Sequence, residues 1–304
     1  MKEIHACLRS SIKAFDFKDE DYKSIREAFP GAKIKSYANY ESLKKSGRQA
    51  KLLLTWNLSS KDYELFPNLR AVITPAAGND WVESDPANEV SVFYGTFHGE
   101  MMEESILGAV FFMNQKMNLM VRGYQNRAWD RNIQSQCRLL KNQTLLIIGH
   151  GNIGKHCSSL FKRMGLNVLA INRSGGNEEK EKGVFGIEFL SALLPKADHI
   201  ILILPGNDID KGFLDEQLLL LCKPGAFLYN FGRGNALESE ALESTIDHLG
   251  GVFLDVTDTE PLPKKSKLWR NEKVMITPHT SCVYKEYKSL FISEVIKLLR
   301  RFQN

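Results

Sequence analysis

The segment GHGNIG at residues 149–154 has the glycine spacing of a phosphate-binding turn. It follows an apolar run at 144–148 and precedes a helical pattern that closes at Gly165. The first glycine permits a tight turn, the second lets the backbone approach a pyrophosphate, and the third lets helix and strand pack closely. The helix start adds N–H donors and a positive dipole end. This context predicts a dinucleotide site, which the spacing alone would not. The residues predicted to bind are Gly149, Gly151, Asn152, Ile153 and Gly154.

The end of the next predicted strand, 167–171, indicates which dinucleotide is bound. An NAD site usually has an acidic residue there, which binds the ribose 2′-hydroxyl. This chain instead has Asn172, Arg173 and Ser174. Arg173 can bind a 2′-phosphate, with hydrogen bonds from Ser174 and Asn172. The segment therefore favours NADP(H). The alternative is a solvated arginine in an NAD(H)-binding chain that lacks the acid.

Three polar segments follow later predicted strands: NFGRG at 230–234, LDVTDTEPLP at 254–263 and TPHT at 277–280. Open α/β sheets bind ligands outside the carboxyl ends of their strands. The segments therefore bring Arg233, Glu260 and His279 to one candidate site. Each residue has a simpler interpretation as well: a turn histidine, a solvated loop carboxylate or a loop arginine.

Together these four segments resemble the D-isomer-specific 2-hydroxyacid dehydrogenase family, in order and approximate spacing, over essentially the whole chain. The resemblance implies a Rossmann-type nucleotide domain, 100–280, inserted into a flavodoxin-like substrate domain, 1–99 plus 281–304. His98 with the Gly-Glu after it, Arg173, and residues 75–80 are most similar to the glyoxylate/hydroxypyruvate reductase branch.

The resemblance also implies a reaction and three catalytic residues. Reduction of a 2-keto acid delivers hydride to the carbonyl carbon and a proton to its oxygen. His279 would donate that proton, because histidine titrates near working pH. Glu260 would favour the imidazolium form and orient the ring. Arg233 would bind the substrate carboxylate and polarise the ketone.

Further ligand contacts are implied in the same way. The backbone around Ala77 and Gly78 resembles the family's substrate-carboxylate loop. Asp255 would meet the nicotinamide carboxamide, although it could merely cap a strand end. Pro205 and Phe231 would contact the cofactor.

The sequence departs from the family pattern at two places that border the cofactor. His150 stands where Leu, Phe or Ala is more usual. The segment at 205–208 reads PGND instead of the usual Pro-Leu-Thr, and Asp210 replaces a common Thr. These added carboxylates weaken the expectation of NADP(H).

The elements that must position these residues alternate along the chain. Strand-like runs and helical patterns follow one another, which predicts an α/β fold with two doubly wound parallel-sheet domains. The predicted strands are 4–8, 33–37, 51–56, 70–74, 90–94, 144–148, 167–171, 199–204, 226–230, 251–255 and 274–277. The predicted helices are 19–29, 40–45, 61–65, 101–116, 153–164, 188–194, 215–222, 238–248 and 283–302.

The predicted helix at 101–116 is apolar nearly all round, so it must be buried under a domain or in a subunit interface. It resembles the family's dimer-forming element, which implies a homodimer. Burial within a single chain is the alternative.

Composition excludes several classes of protein. The 304 residues are 43% hydrophobic and 25% charged, with a net charge of +4 and no dense basic run, which argues against nucleic-acid binding. The longest apolar run, 106–113, is far shorter than the roughly 20 residues of a bilayer span, so no membrane association is expected. Five scattered cysteines without a CxxC pair favour neither a disulfide framework nor a metal site. The amino terminus does not resemble a signal peptide, so we expect a cytoplasmic location.

Three functions remain as alternatives. The first is an NADPH-preferring reductase acting on glyoxylate, hydroxypyruvate or a bulkier 2-keto acid. The second is a formate- or phosphite-type oxidant of the same superfamily. The third is a non-catalytic dinucleotide sensor of the corepressor type. The complete set of Arg233, Glu260 and His279 favours the reductase.

Overall fold

A computed structural model describes residues 3–173, 175, 183–206 and 208–302. The chain divides into two units. The first unit comprises Met1–His98 with Val283–Asn304, and the second comprises Gly99–Cys282. The assignment of a substrate-binding role to one unit and a nucleotide-binding role to the other stays a prediction.

The strands of the described residues belong to two parallel sheets, one in each unit. The strands of the first unit are β1 (Glu3–Cys7), β2 (Lys33–Ser36), β3 (Leu52–Thr55), β4 (Ala71–Thr74) and β5 (Ser91–Tyr94). Those of the second unit are β6 (Thr144–Ile148), β7 (Asn167–Ile171), β8 (Val184–Phe185), β9 (His199–Leu202), β10 (Phe227–Asn230), β11 (Gly251–Leu254) and β12 (Val274–Ile276).

Helices and short 3-10 turns connect the strands. The α-helices are α1 (Lys23–Ala28), α2 (Tyr40–Ser46), α3 (Gly99–Asn114), α4 (Met117–Gln125), α5 (Asn152–Arg163), α6 (Leu190–Leu193), α7 (Glu216–Leu221), α8 (Ser239–Thr245) and α9 (Tyr287–Arg301). Across the described part of the chain, none of them is long and apolar enough to span a bilayer.

The sheet of the first unit has the strand order β2-β1-β3-β4-β5. Its central strands are buried on both faces, which explains why β3 and β4 are nearly continuous apolar runs. The last helix, α9, belongs to this unit, where the Phe291 and Phe17 rings make a T-shaped contact at a centroid distance of 5.5 Å.

The sheet of the second unit has the order β12-β11-β10-β9-β6-β7-β8, and all its pairings are parallel. Side chains alternate across a strand, so Leu145 and Ile147 enter one core cluster whereas Leu146 and Ile148 enter the other. The strand order reverses between β6 and β9, which neighbour each other. Such a switch point is where sheets of this type bind ligands.

The predicted fold class is therefore confirmed. β6 and β7 have the predicted bounds. The two-residue strand β8 was not predicted, and the helix predicted at 61–65 is a 3-10 helix, Ser60–Leu65. The last helix begins at Tyr287 rather than at 283.

The long apolar helix also differs from its prediction. α3 ends at Asn114, and Lys116 adopts a left-handed conformation with φ of 54°, which starts the unpredicted helix α4. One side of α3 is buried through residues such as Ile106 and Val110, but Phe111 is 42% exposed. Within one chain, α3 is thus not buried all round.

Candidate functional site

The glycine turn follows β6, and the space for a side chain differs among its three glycines. Gly149 has φ of 107°, and a Cβ there would lie 2.3 Å from the carbonyl oxygen of Ile203. A Cβ on Gly154 would lie 2.3 Å from the carbonyl oxygen of Gly149. A Cβ on Gly151 would meet no heavy atom of the described residues within 4 Å, apart from its chain neighbours. The fold thus requires the first and third glycines, whereas the second borders open space.

Helix α5 begins directly after this open space. Its N-cap residue is Gly151, which has no side chain to cap the first turn. Ile153 is partly buried against the core. The His150 ring is tied to α5 by a 2.9 Å contact between Nε2 and Ser158 Oγ. Open space before an uncapped helix start fits the pyrophosphate of a dinucleotide.

Arg173 lies just beyond the end of β7, where the sequence predicted contact with a 2′-phosphate. Its side chain is 68% exposed, and its Nη2 lies 3.9 Å from Asp210 Oδ1. The neighbouring Asn172 donates its backbone N–H to the carbonyl oxygen of Phe185. Ser174, predicted to assist Arg173, lies outside the described residues.

The two other predicted cofactor contacts follow β9 and β10. Pro205 lies in the loop after β9. Phe231 is buried and stacks on Phe253 with ring centroids 5.5 Å apart. Its side chain therefore belongs to the core, so a cofactor could meet only its backbone.

His279 and Glu260 form a direct pair. His279 Nδ1 lies 2.9 Å from Glu260 Oε2, and Thr257 donates its backbone N–H to Glu260 Oε1 at 3.2 Å. The Glu260 hydrogen bond raises the pKa of His279 against the opposing effect of burial. Burial would raise the pKa of Glu260, but the hydrogen bond and charge of His279, with smaller effects from Thr257 and Arg233, hold it below its ordinary value. The pair thus favours imidazolium beside carboxylate.

Asp255 organises the turn that carries His279. Its buried carboxylate accepts hydrogen bonds from the Thr277 hydroxyl at 2.7 Å, from the Thr280 N–H at 2.8 Å and from the Ser281 N–H at 3.0 Å. His279 itself has φ of 52°, and its N–H bonds to the Asp255 carbonyl oxygen at 2.8 Å. Contact of Asp255 with a nicotinamide stays a prediction.

Arg233 follows β10 between two glycines that permit close packing. A Cβ on Gly234 would lie 1.7 Å from the Thr257 carbonyl oxygen, so glycine is needed where this loop crosses the loop of Glu260. The Arg233 backbone carbonyl accepts a hydrogen bond from Asn230 Nδ2 at 3.2 Å. Its charge contributes to the pKa of both Glu260 and His279, so the three residues form one electrostatic cluster.

The loop with Ala77 and Gly78 follows β4 in the first unit. Ala77 is exposed and Gly78 is half-buried. The residues before them are fixed, because Ala76 donates its N–H to Thr74 Oγ1 at 3.2 Å and Tyr287 donates its hydroxyl to the Pro75 carbonyl oxygen at 3.0 Å. An exposed backbone on a fixed base is suited to binding a small anion.

Sequence reasoning missed two of these supports. The first is the triple hydrogen bonding of Asp255, for which the only signal was an acid at a strand end. The second is Tyr287, which no motif marks. Both contacts join segments that are far apart in the chain.

Comparison of this chain with known proteins identifies its class. Residues 107–281 match the family model described as D-isomer specific 2-hydroxyacid dehydrogenase, NAD binding domain. Because that match covers more than half of the 304 residues, the chain belongs to the D-isomer specific 2-hydroxyacid dehydrogenase family.

Individual relatives show how far the likeness extends. Formate dehydrogenase of Arabidopsis thaliana is 31% identical over 250 residues, which are 81% of this chain and 61% of that protein. Glyoxylate/hydroxypyruvate reductase A of Serratia proteamaculans is 33% identical over 144 residues, 47% of this chain and 46% of that protein. The chain thus spans about half to three fifths of these relatives.

A solved structure is similar over nearly the whole chain. The D-isomer specific 2-hydroxyacid dehydrogenase of Xanthobacter autotrophicus, in complex with NADPH and MES, superposes with a TM-score of 0.83 at 22% identity. The match covers 99% of this chain and 95% of that one. At this identity it supports the fold alone.

Proposed function

We propose that this chain reduces a small 2-keto acid of the glyoxylate/hydroxypyruvate type to the D-2-hydroxy acid, with NADPH preferred and NADH accepted. The observation that carries the proposal is the 2.9 Å hydrogen bond between His279 and Glu260. It lies in the same unit as Arg233 and a glycine turn with open space before its helix. Family membership supports the reaction class.

The proton moves through His279. Its Nδ1 is bonded to Glu260, so the proton passes to the substrate oxygen from the other ring nitrogen, Nε2. Glu260 keeps the ring charged and oriented before transfer. The bound dinucleotide supplies the hydride that reaches the carbonyl carbon.

Arg233 binds the substrate by charge. A guanidinium can hold a carboxylate with two parallel hydrogen bonds and can also polarise the neighbouring ketone. The backbone at Ala77 and Gly78 is proposed, from the family resemblance, as a substrate-carboxylate loop. The small size of these residues suits a short 2-keto acid.

Cofactor choice rests on Arg173. Its exposed guanidinium follows the strand whose end normally carries the acid of NAD-binding chains. A cation there attracts a 2′-phosphate, which is the reason for preferring NADP(H). Gly149, Gly151, Asn152, Ile153 and Gly154 would hold the pyrophosphate, and Asn172, Ser174, Pro205, Phe231 and Asp255 would complete the site.

We also propose a homodimer formed through α3 and the segment after it. Large apolar side chains are exposed there in a single chain, which is unusual for a surface without a partner. They are Phe111, Met117, Val121, Tyr124, Trp129 and Leu139. A cytoplasmic location also stays a prediction.

The first experiment follows absorbance at 340 nm with the purified chain, glyoxylate or hydroxypyruvate, and NADPH or NADH in parallel. Turnover that is faster with NADPH supports the proposal. His279→Ala and Arg233→Ala should each lower kcat by at least about 10² while NADPH binding persists. Arg173→Asp should shift the preference toward NADH.

His156→Ala is a matched control, because His156 also pairs with a glutamate of the same unit, Glu103, at 3.6 Å. Its turnover should stay near that of the unaltered chain. Near-full turnover by His279→Ala would refute the proton-donor role. Cofactor binding without turnover on any 2-keto acid would favour a dinucleotide sensor instead.

A further inference from the structure

A buried carboxylate lies beside the proposed 2′-phosphate residue. Asp210 ends the 3-10 turn Asp208–Asp210, which follows β9, and its side chain is 7% exposed. Its Oδ1 lies 3.9 Å from Arg173 Nη2. That distance is within ion-pair range but too long for a hydrogen bond. Asp210 therefore acts on Arg173 by charge and does not orient its guanidinium.

The second oxygen of this carboxylate lacks a hydrogen-bond donor among the described residues. This oxygen, Oδ2, is buried. Burial raises the pKa of Asp210, and the nearby Arg173 charge opposes that rise. A buried carboxylate oxygen without a donor is unfavourable, so a ligand hydroxyl that reaches this carboxylate would be bound favourably.

The location of the pair indicates which ligand could supply that hydroxyl. β7 and β9 are the two neighbours of β6, and Arg173 and Asp210 lie in the segments that follow β7 and β9. The pair therefore spans the carboxyl end of β6, the strand that leads into the glycine turn. A dinucleotide whose pyrophosphate lies on this turn places its adenosine ribose toward the end of β7.

We propose that Asp210 sets the cofactor preference by accepting a hydrogen bond from the ribose 2′-hydroxyl of NAD(H) and by repelling the 2′-phosphate of NADP(H). This inference rests on the proposed function, in which Arg173 attracts that phosphate. Two residues of opposite charge thus act on the same ribose position. Arg173 favours NADP(H), Asp210 favours NAD(H), and their balance sets the ratio of the two affinities.

The test measures binding rather than turnover. Dissociation constants for NADPH and NADH are determined by calorimetry on the full chain, on Asp210→Asn and on Asp210→Thr. Each substitution removes one negative charge close to the phosphate position, and we expect NADPH to bind about tenfold more tightly. NADH should bind no more tightly than to the unaltered chain, because its hydroxyl loses a charged acceptor.

Asp247→Asn is a matched control. Asp247 Oδ1 also lies 3.9 Å from a cation, Lys273 Nζ, but its side chain is fully exposed. Asp247→Asn removes one negative charge, as the Asp210 substitutions do, and we expect it to leave the dissociation constants for NADPH and NADH unchanged. A thermal midpoint for each variant shows that the chain is folded.

The outcomes separate this inference from the proposed function. An unchanged ratio of NADPH to NADH affinity in both Asp210 variants, with normal binding by the unaltered chain, overturns the role of Asp210 alone. Weaker NADPH binding would overturn it too, because Asp210 would then support Arg173 instead of opposing it. If the unaltered chain binds neither dinucleotide, the proposed function fails and this inference fails with it.

Discussion

The open space at Gly151 gives a prediction in which ligand affinity changes and stability does not. In Gly151→Ala the added methyl group meets no heavy atom of the described residues within 4 Å, its chain neighbours aside. The residue has φ of −84°, which alanine adopts without strain. A small loss at the helix N-cap is offset by the lower entropy of the unfolded chain. The free energy of unfolding should therefore change by less than about 1 kcal/mol.

The same methyl group occupies the space through which a pyrophosphate would approach the backbone. We expect the loss of one charge-assisted hydrogen bond, which contributes about 2 kcal/mol. That value corresponds to roughly 30-fold weaker binding of NADPH. The weakening should be equal for NADPH and NADH, because they share the pyrophosphate.

The assay combines calorimetric titration of NADPH with thermal unfolding of each variant. Gly154→Ala is the contrasting variant, since its Cβ would lie 2.3 Å from a carbonyl oxygen and should destabilise the fold. Gly108→Ala, in α3, is the control, because its Cβ would likewise meet no heavy atom of the described residues within 4 Å beyond its own helix backbone, and it should bind NADPH normally. Unaltered affinity in a folded Gly151→Ala would refute the proposed position of the pyrophosphate.

Three other predictions concern the pair, its turn and the assembly. Glu260→Gln removes the main cause of the raised His279 pKa, so the alkaline limb of the kcat/KM profile for reduction should move to lower pH. A limb that stays in place would contradict the pairing of these two residues. Asp255→Asn places an amide against N–H donors, so it should lower the free energy of unfolding by about 1–3 kcal/mol and should also lower kcat. Equal stability of the two chains in chemical denaturation would contradict the stabilising role of Asp255. In sedimentation the chain should behave as a dimer and Trp129→Glu with Leu139→Glu as a monomer; a monomeric unaltered chain would exclude the dimer.

The local sequence pattern predicted strands correctly where they are buried on both faces of the sheet. β6 and β7 could be bounded correctly because each is a short apolar run that ends at a turn residue. α4 was not predicted, although Met117, Met120, Val121 and Tyr124 recur at helical spacing and form an apolar stripe. None of its residues is buried in the chain, so no contact with the core indicates the helix. The left-handed Lys116 that separates it from α3 also has no signal in residue type.

In the candidate site, too, some features follow from residue types and others do not. Glycine spacing and strand-end polar residues predict Gly149, Arg233 and His279, because parallel strands bring their carboxyl ends to one edge. The environment of Asp210 could not be inferred, since its burial and its distance from Arg173 depend on how two loops approach each other. Residue types can be read from a sequence, but the contacts that tune them arise from tertiary packing.

The left-handed backbone of His279 has a consequence for engineering. A non-glycine residue at φ of 52° loses roughly 1–2 kcal/mol relative to an ordinary conformation, and the bonds to Asp255 hold it there. Glycine would relax this turn, so variants selected only for heat resistance should include His279→Gly. Thermostability screens on this chain therefore need turnover as a second criterion, because the residue that strains the turn is the proposed proton donor.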